Sequence, residues 1–325
     1  MGFWQRISEL LGPEPPVDAA VVHGVEHAVM AVDPMLKAVG GLEKVLGPGV
    51  AHALAYCADL VDQLPPALTI RHGSFASDPL VHALFASADD IDLMLGRSAA
   101  LREFLADGSS AFVEDCYALL GMRRNQKTVL GMALHGDVLQ PEAPQKLLYF
   151  TDHTLRELSL SEEETRRRLQ FSAFDSLVQK FADELKAQRQ ARDELRLTWE
   201  SERATGRGEL MPDEKAWRLG TLEARYQEAV AELAPEKVVQ HFGQWLMAPE
   251  KHLYLEPCTV TVDRMGMVVE PDPNRTDIHT LACPQLVSRD RRRWIVLLAR
   301  LSCAEARDAV AAQARSEAAT RDLLL

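Results

Sequence analysis

Apolar residues recur along this chain with two different periods, and the change of period divides it. From Val22 onward they return every three or four residues: Val22, Val25, Val29, Val32, Leu36 and Val39, then Val50, Leu54, Cys57, Val61 and Leu64. That spacing gathers one apolar stripe on a helix. Asp33-Pro34 and Ser77-Asp78-Pro79 each join a good N-cap to a first-turn proline, so both predict helix starts. Gly47-Pro48-Gly49 predicts a turn, and Pro65-Pro66 a helix stop. Helices through Leu80, Leu84, Ile91 and Leu95, through Leu101, Phe104 and Leu105 to near Gly108, and through Phe112, Cys116 and Leu119 complete a predicted bundle over residues 17–121.

Period-two sequence follows. Lys127–His135 and Lys146–Thr151 are short, apolar and partly β-branched, and the segment between them holds Pro141 and Pro144. The same grammar returns at Leu253–Val262. Asp263–Gly266 predicts a hairpin turn with Met267–Glu270 as the partner strand. His279–Ser288 and Arg293–Ser302 predict a second pair, with Pro257 and Pro284 marking edges or bulges. Isolated hairpins are marginal, so residues 122–160 and 249–303 are expected to close into one antiparallel β body.

Residues 161–248 interrupt that body. Ser161 and Glu164 read as a capping box. Phe171, Phe174, Val178, Phe181 and Leu185 then hold a heptad seam, which passes through polar Gln188 and Arg192 before Leu195 and Trp199 restore it. Thr205–Pro212 is a Gly-rich turn. Leu219, Leu222, Tyr226, Ala229 and Leu233 carry the return, and a short helix with Val238, Val239, Phe242, Trp245 and Leu246 follows. The expected fold is α+β, mostly α: a helical bundle, then a split sheet from which an antiparallel coiled-coil hairpin projects. Residues 304–325 read as a weakly amphipathic helix or tail. Residues 1–16 read as an amphipathic segment and linker, whose Phe3 and Trp4 suit a peripheral membrane contact or docking on the body.

Composition fits a globular chain, with 47% apolar and 26% charged residues. The net charge of −12 is concentrated in residues 1–120, where 16 acidic side chains face 6 basic ones. Nucleic acid is therefore not an expected partner of that part. Five cysteines without C-x-x-C spacing point to reduced thiols and a cytoplasmic location. No signal peptide and no transmembrane run is read from the sequence.

Candidate chemistry is sparse. His23 and His27 are spaced to share a helix face, and with His52 they could hold a divalent metal; satisfied structural or surface imidazoles are the simpler explanation. Asp89, Asp90 and Asp92 make an acidic cluster or a solvated helix face. Arg289, Arg291, Arg292 and Arg293 beside Trp294 form the one dense basic patch, suited to phosphate or single-stranded nucleic acid. Leu210 and Met211 put apolar side chains in a turn, as a binding anchor does. The Gly-rich phosphate loops and the G-x-S-x-G elbow are missing, Cys116 sits beside acids, and Asp152-His153 is an isolated dipeptide. No catalytic residue and no cofactor is expected, and no resemblance to a characterised family is read from these residues. The expectation is a non-enzymatic scaffold or regulatory protein whose hairpin engages a protein partner or another copy. Phosphate or nucleic-acid binding at Arg289–Trp294 is the second reading, and metal-dependent activity at His23, His27 and His52 the third.

Overall fold

The computed structural model describes residues 17–108, 110–135, 138–204, 212–288 and 293–322. Helices α1 (Val17–Val32), α2 (Leu42–Asp62), α3 (Ser74–Ser77), α4 (Pro79–Leu84), α5 (Ala88–Arg97) and α6 (Ala99–Ala106) come first, with strand β1 (Leu68–Ile70) after α2. Strands β2 (Asp115–His135) and β3 (Val138–Ser159) follow, then α7 (Glu162–Ala204), α8 (Pro212–Glu232) and α9 (Pro235–Leu246). Strands β4 (Leu253–Glu256), β5 (Thr259–Asp263), β6 (Ile278–Ala282), β7 (Gln285–Ser288) and β8 (Arg293–Ser302) lead to α10 (Cys303–Asp322). With 59% helix and 24% strand, the fold is α+β and mostly α. By contact the chain divides into residues 1–57 with 171–252, and residues 58–170 with 253–325. The expected bundle over residues 17–121 is thus shared between two units, because its first two helices find their packing partners in the later helices.

The second unit is built on β8. Its sequence RWIVLLARLS is buried from Ile295 to Ala299, as befits a strand covered on both faces. The sheet order is β3-β2-β8-β7-β4, with β1 pairing parallel to β8. β2 meets β8 from Asp115↔Ser302 to Met122↔Ile295. Segments on both sides of residues 161–248 therefore close into one sheet. Cys116, Ala118, Leu120 and Met122 alternate into one core with Ile295, Leu297, Ala299 and Leu301, and α4, α5, α6 and the start of α10 cover it. The other face packs Val296 and Leu298 on Val61, Leu64 and Leu169.

Several local expectations change. Phe112, Cys116 and Leu119 do not share a helix: β2 begins at Asp115, and Phe112 is fully exposed. Their three- and four-residue spacing coincides with a strand whose alternate residues are also apolar. Gly47-Pro48-Gly49 lies inside α2 rather than in a turn. Gly49 is needed there, since a Cβ would stand 2.8 Å from the Gly243 carbonyl oxygen. The Asp263–Gly266 turn forms, with the Asp263 carboxylate accepting from the Met265 and Met267 amides at 2.8 and 2.9 Å. Its expected partner strand does not; β5 pairs instead with β6, and residues 267 and 268 make single bridges to β3 and β5. The register of β2 and β3 shifts three times, each time adding a residue to β3, and Glu142, Asp152 and Glu157 take positive φ at those bulges.

The C-terminal helix is anchored. A Cβ on Gly96 of α5 would sit 2.8 Å from the Ala309 carbonyl and 3.0 Å from Gln313 Cβ in α10. Gly96→Ala is expected to destabilise by about 1 to 2 kcal/mol despite its better helix propensity, because the two helices must separate. Denaturant unfolding checks this, and an unchanged midpoint would show that the crossing is looser than described.

In the first unit, α1, α2, α7 and α9 bury Val25, Val29, Leu46, Val50, Phe174, Phe181, Phe242 and Leu246. Asp33 caps the 3-10 turn Pro34–Ala38 and is held by Arg189. Its carboxyl is raised by burial, but the Arg189 contact and the Met35 amide outweigh that and leave it lowered.

Candidate functional site

Burial along α7 changes abruptly. Phe174, Leu177, Val178, Phe181 and Leu185 are buried, whereas among the described side chains of residues 186–204 and 213–232 none is. The positions with intermediate burial in α8 include Leu219, Leu222, Tyr226 and Ala229, the residues of the expected seam. Trp199 stacks parallel to Tyr226 at 6.5 Å between ring centroids, and Arg218 reaches back to Glu202 at 2.8 Å. These contacts run antiparallel. Leu197 and Trp217 on this pair are 58% and 71% exposed. Leu210 and Met211 lie outside the described residues.

Gln188, which breaks the seam, has a local explanation. With Ala229, Glu232, Leu233, Lys237 and His241 it lines an open cleft of about 320 Å³ where α9 leaves α8. A polar residue suits that solvated gap, and Lys237 there is paired to Glu232 at 2.6 Å.

In the second unit a sheet face carries cations and aromatic rings together. Arg123↔Thr151, Asn125↔Tyr149 and Lys127↔Leu147 are opposite one another in β2 and β3, so all six point to one side. Phe150 and Leu148 point the other way, into the core. The Arg123 guanidinium lies over the Trp294 ring at 5.2 Å, and the Lys127 ammonium over Tyr149 at 5.8 Å. Arg123 also meets Asp152 at 3.4 Å, and Asn125 donates to the Thr151 hydroxyl at 2.9 Å. Of the sequence-predicted basic patch, Trp294 lies on this face, whereas Arg293, its neighbour in β8, alternates to the other side and stands 3.7 Å from Glu256; Arg289, Arg291 and Arg292 lie outside the described residues. The missed members, Arg123, Lys127 and Tyr149, look ordinary in sequence because strand pairing, not spacing, assembles them.

The His23, His27 and His52 grouping does not form. Among the described residues the one set of ligand atoms close enough for a metal ion is His72, Asp89 and Asp92. His23 and His52 are exposed, and His27 pairs instead with Asp175 at 2.8 Å. The i,i+4 spacing put two imidazoles on one helix, but packing turned His27 toward α7. His72 bonds Asp92 at 3.0 Å on an exposed surface. His153 accepts no triad role: its Nε2 bonds the Leu84 carbonyl at 2.9 Å, its ring stacks on Phe85, and burial lowers its pKa. Burial pushes the Cys57 and Cys283 thiols up to about 12 and the Cys116 thiol higher still, so these behave as small apolar groups. No described helix is long and apolar enough to cross a membrane. Comparison with protein-family models, with curated proteins and with solved structures finds no match for this chain.

Proposed function

We propose that this chain is a non-enzymatic interaction protein, a scaffold or regulatory component that uses its paired helical arm, residues 186–232, as a coiled-coil contact element. One observation carries the reading. The arm contributes no buried described side chain, yet Leu195 and Trp199 of α7 and Leu219, Leu222, Tyr226 and Ala229 of α8 keep apolar side chains along it. Leu197 and Trp217 stay exposed on that arm, and apolar side chains outside the core invite a second surface to cover them. Nine basic and ten acidic residues are interspersed over residues 186–232. That near-neutral mixture does not repel a second arm, even though the whole chain carries −12. A second copy is therefore the partner we assign, and all five thiols being unbridged fits a reducing cytoplasm.

The test replaces residues 193–228 with a short Gly-Ser linker that joins the two helices. Light scattering on the full chain is expected to give a dimer, and on the trimmed chain a monomer of unchanged fold by circular dichroism. Leu197→Ser with Trp217→Ser should weaken the dimer at least about tenfold, the scale of losing two interfacial apolar side chains. The same number of chains per particle for the full and trimmed proteins would overturn the proposal.

A further inference from the structure

From the open sheet face we infer a second binding site, for single-stranded nucleic acid, formed by Arg123, Lys127, Tyr149 and Trp294 on three adjacent strands. It does not depend on the helical arm. Trp294 on β8 and Tyr149 on β3 flank β2, which carries Arg123 and Lys127. Neighbouring strands lie about 4.8 Å apart and same-face residues about 7 Å apart along a strand. The two strand positions that carry the rings are thus roughly 12 Å apart, with the Arg123 cation over the Trp294 ring and the Lys127 cation over the Tyr149 ring. A base presents a flat π-face that a ring can stack on, and the linking phosphate carries the charge that a guanidinium or ammonium recognises. Asn125 and Thr151 stand in the same face and offer donors and acceptors to base edges.

Three features favour this occupant over others. The rings are not absorbed into the core: Tyr149 is 39% exposed, and Trp294 is half-buried against the second core cluster. Both cations are exposed, and the Arg123–Asp152 pair is a solvent-facing one that a phosphate can replace at little cost. The charge that opposes polyanions lies elsewhere in the sequence, since residues 1–120 account for most of the excess acid, whereas residues 121–160 hold five basic and four acidic side chains. Duplex is excluded by the same geometry. Its bases are stacked on one another and show edges, not faces, so the rings would have nothing to stack on.

The experiment measures anisotropy of a fluorescein-labelled oligodeoxythymidylate of about 15 nucleotides, alone and annealed to its complement, at about 50 mM salt. The full chain is expected to bind the single strand at least about tenfold more tightly than the duplex. Tyr149→Ala, at an exposed position, should weaken binding about 5- to 150-fold, the loss of one stacked base. Arg123→Gln and Lys127→Gln should each lower the slope of log affinity against log salt by about 0.7. The arm-trimmed chain should bind as the full chain does, which separates this site from the arm. No binding by the full chain, equal binding of duplex, or full affinity in a folded Tyr149→Ala protein would each overturn the inference.

Discussion

Asp115→Ala is expected to cost about 3 kcal/mol of folding stability, more than any exposed charge in the molecule. Asp115 is 7% exposed at the start of β2 and holds two arginines. Arg71, next to β1, donates to Oδ1 at 2.8 Å; Arg300 of β8 donates to Oδ2 through Nε at 2.8 Å and through a second, shorter contact. One carboxylate therefore ties together the three strands at the centre of the sheet. Removing it leaves two guanidinium groups facing each other across the gap, which is why the loss exceeds the worth of an ordinary surface pair. The arginines are 36% and 44% exposed, so water recovers part of the cost and the value sits at the lower end of the range for broken buried pairs. Replacing all three residues by apolar ones of similar volume should cost less than Asp115→Ala alone.

The same carboxyl predicts a pH dependence. Burial pushes it up, but the hydrogen bonds and charges of Arg300 and Arg71 outweigh burial and hold it below the usual carboxylate range. A folded-state pKa below the unfolded value means the folded chain binds the proton less readily. Its stabilisation is then complete above the unfolded pKa of about 4 and is lost as the pH falls through the folded value. The stability gap between the native chain and Asp115→Asn should thus be constant near neutrality and close in acid. Urea unfolding at several pH values measures it; a gap that persists unchanged below pH of about 3 would refute the assignment.

Legibility followed the range of the forces. The helices Glu162–Ala204 and Pro212–Glu232 were readable because their period is local: Leu219, Leu222, Tyr226 and Ala229 occupy one stripe of α8 whatever lies around them. The N-caps at Asp33 and Asp78 were readable because each Asp carboxylate accepts from a backbone amide only two residues on. Strand Thr259–Asp263 was readable by alternation, but not its partner, since pairing with Ile278–Ala282 is decided by packing across an intervening loop. β1 was invisible: Leu68–Ile70 is three residues, and nothing nearby announces a parallel match to Ala299–Leu301. The aromatic and basic face escaped for the same reason. Arg123, Tyr149 and Trp294 are far apart in sequence, and only the register of two ladders brings them together. The histidines failed in the opposite sense. Local spacing suggested a cluster, and the tertiary contact of His27 with Asp175 removed it.

Phe181→Ala is expected to have the largest effect of all, about 4 kcal/mol, on the unit that carries the arm. Phe181 is 2% exposed on α7. It stacks on Phe242 at 4.5 Å between centroids and meets Trp245 edge-on at 5.5 Å and His241 at 5.4 Å, all on α9. Four rings that share one contact are lost as a group, because each aromatic pair adds to the area term. The surroundings cannot collapse into the gap. A Cβ on Gly243 would stand 3.3 Å from the Val45 carbonyl oxygen, and one on Gly49 2.8 Å from the Gly243 carbonyl, so α9 is already pressed against α2. The cavity term therefore applies nearly in full, and Phe181→Leu, which fills most of the volume, should cost only about 1 to 1.5 kcal/mol. Far-UV circular dichroism during denaturant unfolding gives both values. The position also separates anchoring from contact along one helix. Phe181 lies below the arm, so its loss should loosen the base without altering Leu197 or Trp217, whereas Leu197→Ser should leave stability within about 0.5 kcal/mol and act on association alone. Comparable stability losses from Phe181→Ala and Leu197→Ser would mean that the arm is part of the core after all.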